Sequence, residues 1–198
     1  MTTLRKLILS VALVGAAAGI AGLGTFATFT SSTTPVSHTI SSGTVSIALG
    51  ATGAATNRLN IGASGIVPGD TIQRSVDLIN TSTVNLASIT LTTNATTSSV
   101  LDTDAAGGLQ MTIDKCSQAW TESGPPYTYT CGGTTTSVLA SRRVIGTDIS
   151  LSNLTLNAAA TDHLRVTLTF PSSSTVGQGA TSVIEYTFTA TQRGAAAQ

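Results

Sequence analysis

The chain has 198 residues, with nine basic and nine acidic side chains, and only 9% of its residues are charged. That length allows one ordinary domain after removal of a targeting segment. The absence of any basic run excludes nucleic acid as an expected partner.

Threonine occupies 37 positions and lysine only two. Thr, Val and Ile branch at Cβ, which suits a pleated, half-buried surface, so the composition points to an all-β fold. The first element is not a strand. Arg5 and Lys6 form a positive start, an uncharged apolar stretch runs from Leu7 to Leu23, and Thr25-Phe26-Ala27 offers small residues for a cut between Ala27 and Thr28. This is the three-part pattern of a secretory signal helix over 1–27. The competing reading is a membrane anchor, but the many Ala and Gly residues and the small-residue exit favour cleavage. The exported part then carries seven basic and nine acidic residues, a net charge of −2. It is expected to be secreted, touching a membrane only through an uncut signal.

Residues 28–40 are rich in Ser and Thr, with one proline at Pro35, and read as an extended segment unable to build its own core. A domain over 41–192 follows, and 193–198 read as a disordered tail. Val45, Ile47 and Leu49 alternate on one strand face. Val67-Pro68-Gly69-Asp70 is a turn, because Pro presets φ and Gly accepts positive φ. Ile72, Val76 and Leu78 mark the next strand, with Arg74 interrupting the apolar face. Asn80 to Thr83 turn the chain, and Ile89 and Leu91 point inward on the return strand. Residues 94–108 read as a polar loop. Leu109, Met111 and Ile113 alternate again and lead into Cys116. A strand is expected from Tyr127 to Cys131, and a short helix over 137–143 fits the following stretch. Leu164, Val166, Leu168 and Phe170 alternate cleanly until Pro171, which cannot donate to a ladder. Ile184, Tyr186, Phe188 and Ala190 share one face of the last strand. Repeated short strands with one apolar face and Gly/Ser/Pro turns predict a two-sheet antiparallel β-sandwich of jelly-roll or immunoglobulin-like type.

Cys116 and Cys131 are the only cysteines. An exported chain with an even count is read as bridged. The bridge staples a loop that contains Trp120, Tyr127 and Tyr129. Stability of a long loop is the plain explanation. A surface contact through these three aromatics is the sharper one. The spacing is not Cys-x-x-Cys, and no His lies nearby, which argues against zinc or redox work.

Three segments together resemble the TasA/camelysin family of bacterial exported proteins. They are the signal exit Gly24-Thr25-Phe26-Ala27-Thr28-Phe29 followed by Ser42-Gly43-Thr44, the Val67-Pro68-Gly69-Asp70 strand, and the terminal Phe188-Thr-Ala-Thr-Gln192. The resemblance covers about a third of the chain and omits the cysteine loop. It implies a jelly-roll-like sandwich and a dedicated signal peptidase of the SipW type. In the TasA branch it implies subunits that polymerise head to tail into biofilm-matrix fibres, each donating an N-terminal strand to the next copy. Here the donor is 28–40, with Phe29, Val36 and Ile40 as its contacts.

The camelysin branch is described as metallopeptidases. A zinc peptidase needs His and Glu ligands at fixed spacing, yet the chain has only His38, His163, Glu122 and Glu185, and no His-Glu-x-x-His. No Gly-x-Ser-x-Gly elbow occurs. Asp102-Thr-Asp104-Ala-Ala-Gly107 lacks the further ligands of a calcium loop. The expectation is therefore a structural protein without metal, cofactor or catalytic residue, with a cell-surface adhesion module that binds through the aromatic disulfide loop as the alternative.

Overall fold

A computed structural model describes residues 44–60, 64–177 and 179–194. The expected signal helix, the cut between Ala27 and Thr28, and the donor contacts Phe29, Val36 and Ile40 lie outside the described residues. The strands are β1 (Ile47–Leu49), β2 (Thr71–Asn80), β3 (Leu86–Thr97), β4 (Gln110–Cys116), β5 (Thr121–Ser123), β6 (Thr128–Thr130), β7 (Thr135–Arg143), β8 (Gly146–Ser150), β9 (Thr161–Thr169) and β10 (Val183–Gln192). One short helix, α1 (Val100–Thr103), sits between β3 and β4. A five-stranded sheet has the order β1-β2-β9-β4-β7, a three-stranded sheet the order β10-β3-β8, and β5 and β6 form a separate hairpin. All named pairings are antiparallel. The expected all-β sandwich is what the chain forms.

Side-chain alternation explains the layers. On the five-stranded sheet Val76, Leu78, Met111, Ile113, Leu164 and Val166 turn to one side and are buried. From the three-stranded sheet Leu86, Ile89, Leu91 and Ile149 meet them in the same core cluster. Strands present successive side chains to opposite faces, so each contributes every second residue. Thr93 takes an inward position on β3 yet is fully buried. Its Oγ1 donates to the Val144 carbonyl at 2.6 Å and accepts from Gly146 N–H at 3.0 Å, which satisfies the hydroxyl.

Two local expectations are corrected. Residues 137–143 belong to β7 rather than a helix: their backbone pairs with β4, with register shifts around Ile113. The polar stretch 94–108 contains the end of β3 and α1. Ser99 caps α1, accepting from Leu101 N–H at 3.1 Å, while Asp102 accepts from Ser99 N–H at 2.7 Å. Asp102 also accepts from Ser98 Oγ at 2.7 Å and from Ser182 Oγ at 2.5 Å. The buried carboxylate thus ties this turn to the residue before β10.

Candidate functional site

The two sheets close well on one side and poorly on the other. Along the inner face of the three-stranded sheet, Ile89 and Leu91 on β3 are 2% and 0% exposed. On neighbouring β10, Ile184, Tyr186, Phe188 and Ala190 also face the core but are only half-buried. The reason is length. The edge opposite β10 is β1, only three residues long, and it cannot roof a ten-residue strand.

The result is an open groove between two sheet edges. One end, about 220 Å³, is lined by Ile47, Ala48, Leu49, Tyr186, Thr187 and Phe188. It continues past Thr52, Asn57, Leu59, Asn60, Ile184 and Glu185. Burial pushes the Tyr186 hydroxyl up to about 12, with Arg74 pulling in the opposite direction.

Among the described residues, β10 pairs with β3 alone and β1 with β2 alone, so each is an edge strand of its sheet. Unpaired N–H and C=O groups on an edge are a template for another strand, and proteins usually guard such edges with Lys, Pro or short length. β7 ends in Arg142 and Arg143, and β8 is five residues long. β10 has neither Lys nor Pro and only one charge, Glu185.

The cysteine excursion lies on β2, where Tyr129 N–H donates to Gln73 Oε1. Cys116 and Cys131 are bonded, with Cα atoms 5.7 Å apart. Of the three aromatics named as candidate surface contacts, Trp120 and Tyr129 face inward, 9% and 5% exposed, and only Tyr127 keeps a partly open ring. Each is drawn in by a specific partner. Trp120 Nε1 donates to the His163 carbonyl at 2.9 Å, and the Arg165 guanidinium stacks 4.5 Å from the Trp120 ring centre. Tyr129 OH donates to Glu122 at 2.8 Å. Arg58 forms a two-pronged pair with Glu122, at 2.6 and 2.9 Å, and also reaches the Gly53 carbonyl. Hydrogen bonding to Arg58 holds the Glu122 carboxyl below its ordinary range. Arg58 and Arg74 both lie over Tyr127, 5.0 and 5.5 Å from its ring centre. The sequence marks Arg74 only as an interruption and Glu122 only as one of few possible metal ligands, and it gives no sign of Arg58, which lies 64 positions from Glu122.

His163 Nδ1 lies 2.7 Å from Asp77. Arg165 pairs with Asp114 at 2.8 Å, and Lys115 with Asp162 at 3.1 Å. Cross-strand opposite charges of this kind stabilise a sheet face. Among the described residues, no three of His, Cys, Asp and Glu come together to hold a metal ion.

A profile of the family described as camelysin metallo-endopeptidase matches residues 3–197. The chain belongs to that family. No curated protein matches it. Camelysin membership agrees with the resemblance carried by the signal exit, the Pro-Gly-Asp strand and the terminal strand. The camelysin name implies a metal, and the described residues do not supply a ligand set that fits one. His38 lies outside them.

Proposed function

We propose that this camelysin-family chain is an exported structural subunit that assembles head to tail by strand addition. Residues 28–40 of one copy enter the β1–β10 groove of the next. The observation that carries this reading is the half-buried apolar face of β10 beside its long, unguarded edge. An incoming strand satisfies both needs, pairing its backbone with β10 and covering Tyr186 and Phe188. The segment has 13 residues, enough to run along the ten of β10. Phe29, Val36 and Ile40 are the apolar side chains it offers. Addition between different surfaces does not close on itself, so the product is a filament.

Signal cleavage after Ala27 then permits assembly by releasing the segment that starts at Thr28. Electron microscopy of the chain beginning at Thr28 should show filaments, and the chain lacking 28–40 should show none. Equal polymerisation of both would end this reading. A full-length chain made uncleavable at Ala27 should stay membrane-bound and form no filaments.

The family's description favours a second reading, a metal-dependent endopeptidase. It requires casein cleavage that is sensitive to chelators and lost on His163→Ala. Cleavage that survives His163→Ala would remove His163 from any such site.

A further inference from the structure

The groove has one wall that is not a regular strand. Residues 50–59 run beside β2 as an irregular continuation of β1: Gly50 N–H donates to Asp77, Asp77 N–H to Thr56, and Arg58 N–H to Ser75. Thr52, Asn57 and Leu59 of this stretch line the groove. Arg58, between two of them, turns instead to the cysteine hairpin. There it meets Glu122 on β5, while Tyr127 beside β6 packs under both Arg58 and Arg74.

The hairpin reaches Arg58 only from a defined place. The Cys116–Cys131 bond ties its far end to the last residue of β4. Cys116, Trp120 and Tyr129 form a small core of their own, against which Tyr127 and Cys131 pack. Tyr129 N–H donates to Gln73 Oε1 at 3.1 Å, which lays the hairpin on β2. Tyr129 OH then orients Glu122 towards Arg58. One chain of contacts therefore runs from the disulfide through Tyr129 and Glu122 to Arg58 and the groove wall.

We propose that Glu122 is a positioning residue for the groove, and that closing the Cys116–Cys131 bond puts it in place. The oxidised chain has a fixed wall and accepts a strand. The reduced chain has a slack wall and accepts one poorly. Bond closure removes two protons and two electrons from the two thiols, and a disulfide-bearing oxidant takes up both and becomes a dithiol. A chain still in a reducing compartment is thereby kept from assembling before export. The second part rests on the strand-addition reading; the positioning of the wall does not.

The test uses the chain beginning at Thr28, in three forms: oxidised, reduced with a dithiol, and oxidised Glu122→Gln. Hydrogen–deuterium exchange is read at 50–59, with β3 and β9 as the control for global folding. Loss of a charge-assisted pair should speed exchange at 50–59 about tenfold in the Glu122→Gln and reduced forms. β3 and β9 should not change. Glu122→Asp, which keeps a carboxylate for Arg58 and Tyr129, should hold exchange at 50–59 slower than Glu122→Gln does, which a general loss of stability would not. Filament yield should fall in parallel with faster exchange. Unchanged exchange at 50–59 in Glu122→Gln overturns the proposal. If exchange responds but no form makes filaments, the positioning role stands and the fibre reading falls.

Discussion

The open seam makes a quantitative claim about two apolar side chains on adjacent strands. Leu91 on β3 is fully buried, whereas Phe188, its register partner on β10, is half-buried. Truncating a fully buried Leu to Ala removes its transfer energy and leaves a cavity, about 2–5 kcal/mol. A fully buried Phe costs about 3–5 kcal/mol, so one that keeps part of its surface exposed should cost less, roughly 2–3 kcal/mol. In a domain of this size each kcal/mol moves the melting temperature by about 2–4 °C. Leu91→Ala should lower Tm by about 10 °C and Phe188→Ala by about 7 °C on those scales. Assembly should rank the other way: Phe188→Ala lines the groove and should abolish filaments at a temperature where it is still folded. Urea unfolding followed by circular dichroism, with light scattering for assembly, measures both. If Phe188→Ala destabilises the monomer as much as Leu91→Ala, the seam is closed in the free chain and has no room for an added strand. Wild-type assembly by Phe188→Ala would refute strand addition there equally.

Replacing both cysteines by Ser opens a loop of sequence separation 15 and should cost about 3 kcal/mol, read as a Tm lower by roughly 6–12 °C. Asp102→Ala removes the acceptor for Ser98, Ser99 and Ser182, and should cost about 2–4 kcal/mol in urea unfolding. Burial pushes the Asp102 carboxyl up, but its hydrogen bonds, from Ser182 foremost, bring it below the ordinary value. Its contribution is therefore complete above the unfolded value of about 4 and lost as pH falls through the lower folded value. An acid titration of stability should be flatter in Asp102→Asn than in the wild type. Tyr186 is raised by burial to about 12, so its contribution is complete below the unfolded value of about 10 and fades as pH rises towards 12. The ultraviolet titration of the three tyrosines should show a late step near 12 that Tyr186→Phe removes.

Strands that alternate cleanly were legible in the sequence. β9 places Leu164 and Val166 inward with polar residues between them, and the period of two is visible in any short window. The cysteine pairing followed from there being only two cysteines. β7 was not legible because its pairing with β4 slips around Ile113, and Val138 alone on that strand is fully buried. A bulge breaks the alternation on which the reading depends. The later half of β3 was masked by Thr93, a polar residue at an inward position whose hydroxyl is satisfied only by Val144 and Gly146, about fifty residues away. The groove was invisible for a similar reason. It exists because β10 adds beside β3 and so stands over a short β1, a matter of strand order rather than of any local pattern. The exposure of the aromatic loop was not legible, because Trp and Tyr carry no sign of which way they turn. Arg165, Glu122 and the His163 carbonyl decide it.

Assembly depends on whether the edge of β10 receives a strand. Amide hydrogen–deuterium exchange along Val183–Gln192, measured in the chain beginning at Thr28 as monomer and after assembly, addresses that edge directly. Amides of β10 that point away from β3 should exchange quickly in the monomer and become strongly protected in filaments, together with those of β1. No assembly, or filaments in which β10 exchanges as fast as in the monomer, would contradict strand addition at β10.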